Sequence, residues 1–293
     1  MPPTSPLNPP ARPAPLPDHT SHYENFPVAS WLCPARLRPP IAAIYAFART
    51  ADDIADEGDA SAKQRLDDLA SFHQALTAAS QGLPHQGRWP EVFLPLGAMI
   101  AQFKLPVQLL CDLLDAFAQD VAKTRDGAGY ATREELFDYC RRSANPVGRL
   151  LLHLYGVTGE AALRQSDDIC TALQLINFWQ DLGGDIARGR YYLPLQDCAA
   201  HGVRQDDLLA LRQTPDVIKL IAIHVYLARA TMLKGAQLVN GVPGRAGWEL
   251  RLVVQGGLRI LDKIEAMGFA TLNARPKISA RDAPVMLWRA FLM

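Results

Sequence analysis

Cysteine is the first scarcity. The five cysteines, Cys33, Cys111, Cys140, Cys170 and Cys198, are scattered and form no CxxC pair. That excludes a disulfide frame or a thiolate zinc site and reads as reduced core thiols in a cytoplasmic protein. Net charge is lacking too: Lys+Arg and Asp+Glu both total 30, so no overall field selects nucleic acid or an anionic membrane as a partner. No uninterrupted apolar run approaches the roughly 18 residues of a membrane span, and the first residues hold no signal-peptide core. No Gly-x-Gly-x-x-Gly follows a strand pattern and no convincing alternating strand pairs appear. The expectation is a soluble, cytoplasmic protein, at most peripheral to the inner membrane.

Glutamate is also scarce, eight against 22 aspartates. A helical protein ordinarily favours glutamate, because aspartate competes with the helix backbone for hydrogen bonds. Such a surplus points to caps and to short, stiff ligands. Proline, by contrast, crowds one end, with eight in the first seventeen residues. Residues 1–18 are therefore expected to be disordered, leaving 19–293 as one catalytic domain. From Pro39 onward helical periodicity dominates, predicting helices over 39–57, 61–80, 91–102, 106–122, 132–155, 159–187, 214–239 and 246–267. Pro39–Pro40, Pro106 and a Thr132/Glu135 capping box mark three of the starts. No linker divides these helices, and the class is all-α.

The stretch YAFARTADDIADEGD drives an apolar helix into acid. Asp52 and Asp56 stand four apart and share one helix face with Arg49 and Tyr45. A second pair, Asp181 and Asp185, shares a face with Asn177 and Gln174. The bare spacing decides little, since about 1.6 DxxxD matches are expected by chance and two occur. The setting decides more. Ile44, Phe47 and Ile54 crowd the first pair, and Leu175, Ile176, Phe178, Trp179 and Leu182 crowd the second. Carboxylates turned into such surroundings cost several kcal/mol each unless cations neutralise them. Oxygen ligands without His or Cys suit Mg²⁺, two or three ions of it, shared with substrate phosphates. Arg49 and Arg190 would complete a diphosphate cradle. The implied chemistry is ionisation of a diphosphate, with a carbocation left in an apolar chamber. Tyr45, Phe26, Phe178 or Trp179 could face that cation, although ordinary packing accounts for each ring singly.

These motifs, with ENF upstream and YCRRSANPVGRLLLHLYG between them, resemble the squalene/phytoene synthase family over residues 19 to about 270. Within it, HYENFPVASWLCP, ANPVG and NFWQD look most like the hydroxysqualene-forming branch of hopanoid biosynthesis. The resemblance implies the isoprenoid synthase fold, helices around a central cavity. It implies Mg²⁺ ligation by Asp52, Asp56, Asp181 and Asp185 and diphosphate contacts from Arg49 and Arg190. Gln174 and Asn177 match positions near the second metal cluster, Tyr139 the tyrosine beside the cavity, and His22 and Phe26 a loop closing over substrate. Relatives that condense two diphosphates usually carry Arg where this chain has Gln180. That fits a substrate with one diphosphate, presqualene diphosphate, received from a presqualene diphosphate synthase.

The expected reaction gives hydroxysqualene by water capture and needs no NADPH. Head-to-head condensation to presqualene diphosphate, squalene, dehydrosqualene or phytoene is the alternative, and a non-catalytic scaffold homologue is the alternative of another class. Pro146 should kink its helix, and Asn145 would either position water or merely bond locally. Gly183 and Gly184 serve either flexing or close packing. The apolar stretch APVMLWRAFLM, with Arg289 inside it, is expected to dock on the body, with peripheral membrane contact as the alternative.

Overall fold

A computed structural model describes residues 33–293; the proline-rich lead, His22 and Phe26 lie outside them. Twelve helices appear among the described residues, with no strand. α1 (Arg38–Asp56) takes Pro39 in its first turn, where a missing N–H costs nothing. α2 (Ala62–Ser80) starts on Ser61, which accepts from the Gln64 amide at 3.2 Å. α3 (Pro90–Phe103) and α4 (Val107–Asp126) follow, and Gly127 ends α4 in the left-handed region. α5 (Arg133–Ser143) opens on the expected Thr132 cap, which accepts from Glu135 N at 3.3 Å. Glu135 reaches one residue further back than a capping box requires, accepting from Ala131 N at 2.6 Å.

The single helix expected over 132–155 is two. α5 stops and α6 (Asn145–Tyr155) restarts after Ala144, whose φ/ψ of −123°/−47° lies off the helix. Pro146 is the cause: it has no N–H to offer, and its ring would strike the Arg142 carbonyl four residues back. α7 (Glu160–Ala187) runs 28 residues, about 42 Å. Two short helices, α8 (Leu195–Ala200) and α9 (Gln205–Leu209), were not expected, being too brief for a periodic signal. α10 (Pro215–Gly235) hands over to a 3₁₀ turn at Ala236–Asn240 instead of continuing. α11 (Arg245–Ala266) and α12 (Ala283–Phe291) complete the fold.

The apolar interior is divided in two. One cluster gathers α1 to α4 around Phe47, Phe72, Phe93 and Leu110. The other gathers α7, α10 and α11 around Trp179, Val225, Met232 and Leu261. α4 and α6 join them: Leu114, Leu150 and Leu154 belong to the first cluster, Ala116 and Leu152 to the second. The aspartate pairs sit on α1 and α7, one in each half.

Candidate active site

The α7 motif lies on one partly open stripe, whereas on α1 the open face is broader, Ala46, Ala48, Thr50, Asp53 and Ile54 being partly exposed as well and Asp56 exposed. On α7, Gln174, Asn177 and Asp181 are partly exposed while the residues between them are buried, and Asp185 is buried. On α1, Tyr45, Arg49 and Asp52 are partly exposed between buried Phe47, Ala51 and Ala55. The spacing of three and four thus places the polar residues as expected. Arg49 divides its guanidinium between Asp52 (3.3 Å) and Asp53 (2.6 Å), so Asp53 takes part in holding the arginine.

Arg190 links the halves. Gly189, at φ +77°, turns the chain after α7, and the Arg190 amide donates to the Asp185 carbonyl at 2.9 Å. Its guanidinium pairs with Asp56 and is close enough to Asp52, Asp185 and Asp120 to act on each electrostatically.

The strap contacts of Arg275 and Gln180 had not been anticipated, whereas close packing at Gly183 was one of the two expected alternatives. Arg275 pairs with Asp181, carried by a strap, residues 271–282, that crosses the end of α7. Gln180 is buried off the α7 stripe and donates from Nε2 to the Pro276 carbonyl in that strap at 2.7 Å. Gly183 supplies close packing: its amide donates to the Thr271 carbonyl at 3.4 Å, and a Cβ there would collide with the Leu272 carbonyl.

The remaining unforeseen group is Asp120 of α4. Its Oδ2 accepts from Tyr139 Oη at 2.6 Å and Tyr192 Oη at 3.2 Å. Tyr192 stacks on Phe178, centroids 3.7 Å apart, and Tyr130 closes the aromatic group. Partners 19 and 72 residues away leave no helical spacing to read. Trp179, fully buried against His224, is a core residue. Asn145 accepts from Thr171 Oγ1 at 3.0 Å, a local bond across to α7.

The carboxylates are held at a cost. Burial, aided by Asp56, pushes Asp52 up to about 6. Burial, aided by Asp181, pushes Asp185 up to about 7, and burial lifts Asp120 to about 6 despite its tyrosine donors. Among the described residues no three acidic, His or Cys side chains stand close enough to cage a metal by themselves. Two hard carboxylate pairs, two of whose members burial still pushes up despite the neighbouring arginines, nonetheless fit Mg²⁺, which keeps waters and shares substrate phosphates. Asp52 and Asp56 would hold it on one side, Asp181 and Asp185 on the other.

A pH dependence follows. Without metal, Asp52 and Asp185 bind protons in the folded state that the unfolded chain has released, so their contribution to stability falls as pH rises from about 4 to about 7. Mg²⁺ competes with those protons. Thermal melts should therefore show little Mg²⁺ stabilisation at pH 5 and the greatest above pH 7. An equal shift across that range would refute the assignment.

The chain matches the family model described as squalene/phytoene synthase over residues 19–282. It is 33% identical to the hydroxysqualene synthase of Sinorhizobium fredii over 254 residues, 86% of this chain and 82% of that one. It is 31% identical to the phytoene synthase of Thermus thermophilus, covering 93% and 89% of the two chains. The fold superposes on the crystal structure of squalene synthase HpnC from Alicyclobacillus acidocaldarius with a TM-score of 0.76, at 38% identity, covering 85% of this chain and 90% of that one. With the paired aspartates, the two-part interior and these likenesses together, the chain belongs to the squalene/phytoene synthase family and has its isoprenoid synthase fold.

Proposed function

We propose that this protein is a hydroxysqualene synthase, converting presqualene diphosphate and water into hydroxysqualene and diphosphate. The observation that carries the reading is the electrostatic mouth between the two halves, where two aspartate pairs face Arg49 and Arg190. Asp52, Asp56, Asp181 and Asp185 would hold Mg²⁺, whose charge would neutralise the departing diphosphate. Arg190 is placed between the pairs to hold the leaving group as the carbon–oxygen bond breaks, and Arg49 supports Asp52. The cyclopropylcarbinyl cation rearranges beside the aromatic group, whose ring faces tolerate positive charge. Water adds to the rearranged cation and loses one proton. Tyr139 commits its own proton to Asp120 Oδ2, so its oxygen remains an acceptor that can orient a water. Gln174 and Asn177 extend the polar stripe along α7 as substrate contacts.

The second reading is condensation of two prenyl diphosphates. Arg275 beside Asp181 favours it, because it supplies a cation near the position where Gln180 lacks one. One assay separates the two. Purified protein with Mg²⁺ and no NADPH receives either farnesyl diphosphate or presqualene diphosphate, and the lipids are identified by mass. Hydroxysqualene from presqualene diphosphate, with no product from farnesyl diphosphate, is expected. Presqualene diphosphate or a C30 polyene from farnesyl diphosphate would overturn the proposal in favour of condensation. No turnover of either substrate would support a scaffold.

A further inference from the structure

The strap, residues 271–282, is tied down along its length, and it sets one of its side chains on Asp181. At its entry Thr271 and Leu272 are buried, and the Thr271 carbonyl accepts from the Gly183 amide at 3.4 Å. In its middle the Pro276 carbonyl accepts from Gln180 Nε2 at 2.7 Å, and the Lys277 carbonyl accepts from Lys263 Nζ at 2.7 Å. At its exit Asp282 is buried between Arg259, at 2.8 Å, and Lys263, at 2.6 Å. Beyond it α12 docks on α11, with Met286 over Gly256 and Arg289 turned back to Asp262 at 2.6 Å. The backbone is therefore held on both sides of residue 275.

From that fixed backbone Arg275 lays its guanidinium on Asp181. A carboxylate oxygen that accepts from a guanidinium has engaged the lone pairs that Mg²⁺ would need, and Mg²⁺ demands close, near-octahedral oxygen contacts. Two positive groups at such range also repel. Cation and guanidinium are thus alternatives at Asp181. The other arginines of the site have somewhere else to go. Arg49 already pairs with Asp53 at 2.6 Å, so a cation arriving at Asp52 leaves it paired. Arg190, on leaving Asp56, stays in the field of Asp120 and Asp185. Arg275 pairs with no second acid among the described residues. Lys277 adds positive field at Asp181 from beyond ion-pair contact.

We propose that Arg275 is an autoinhibitory counter-ion: the strap presents it to Asp181 in the empty protein, and a divalent cation must displace it to load the second aspartate pair. The inference rests on the metal assignment made above and adds an internal competitor to it. Only the side chain has to swing, because the strap stays pinned at Thr271, Pro276, Lys277 and Asp282. The contact closes again when the cation leaves.

Calorimetric titration of the full chain with Mg²⁺ alone, with thermal melts alongside, tests this without any activity measurement. Arg275→Gln should bind Mg²⁺ roughly fivefold more tightly, since a partly exposed pair formed about four-fifths of the time weakens a competing ion by that factor. Without metal the variant should melt no higher than wild type, yet its melting temperature should rise further on adding Mg²⁺. An arginine with a merely structural role would lower the first and leave the Mg²⁺ affinity unmoved. Lys277→Gln removes an equal charge from the same strap and should change the affinity by less than about twofold. In an Asp181→Asn background Arg275→Gln should change nothing further, because its target is gone. Equal Mg²⁺ affinity in wild type and Arg275→Gln, or an undiminished gain in the Asp181→Asn background, would overturn the proposal and leave the metal assignment standing. Absence of Mg²⁺ binding in both proteins would overturn the two together, whereas binding by Arg275→Gln alone would support the proposal in its extreme form.

Discussion

Asn in place of Asp52 or Asp181 is expected to lower turnover by about a thousandfold or more while leaving the protein folded. The carboxamide keeps the shape of the carboxylate but removes the negative charge that a divalent cation requires. Loss of one charge-stabilising group in a preorganised site commonly costs between about a hundredfold and a thousandfold, and here the loss also weakens every contact made through the metal. The two variants should differ in stability. Asp52 is pushed up to about 6 by burial and by Asp56, so Asp52→Asn removes a strained charge and should melt no lower than wild type at pH 8. Asp181 is the partner of Arg275, so Asp181→Asn frees the strap and gains less. Diphosphate release and thermal melts, measured side by side, check both halves. Full activity in either variant would refute the metal-site assignment.

Gly183→Ala is expected to destabilise the protein by about 2–4 kcal/mol and to impair activity, although Ala is the better helix former by about 1 kcal/mol. The added Cβ would meet the backbone of Leu272, not a side chain that could swing aside. The strap would have to retreat, and with it go the Gly183–Thr271 bond, the Gln180–Pro276 bond and the Arg275–Asp181 pair. Gly184 is the control. Nothing lies within 4 Å of a Cβ there, so Gly184→Ala should stabilise by up to about 1 kcal/mol. Denaturant titrations of the two variants give the comparison; equal effects would mean that the strap does not rest on Gly183.

How much of this was legible depends on the reach of each signal. The stripes Tyr45–Arg49–Asp52–Asp56 and Gln174–Asn177–Asp181–Asp185 are written in helical spacing; the structure leaves all but the buried Asp185 at least partly exposed. The proline at 146 announced a disturbance of its helix, though the disturbance is a full break between α5 and α6. The all-α class was carried by helical periodicity and the family by motifs of several residues each. What stayed illegible is tertiary. Asp120 gathers Tyr139 and Tyr192 from two other segments, and nothing in its own helix marks it among 22 aspartates. Arg275 lies in a segment without periodicity, and its partner Asp181 is 94 positions back. For Gln180, spacing gave no sign that its amide holds the strap; off the stripe by one residue and buried, it belongs to the scaffold of the site.

The division of the interior into two apolar clusters has a mechanical consequence. Each cluster behaves as a jaw whose rigidity comes from close-packed hydrocarbon, and each jaw holds one aspartate pair fixed relative to itself. α4 and α6 join the jaws with buried hydrocarbon at their base, while across the mouth the link is ionic, Arg190 reaching from the end of α7 to Asp56. Ionic adhesion responds to what enters the gap, whereas hydrocarbon packing does not. A diphosphate with its cations would therefore exchange partners with Arg190 and Asp56 at the mouth while both cores stay in place.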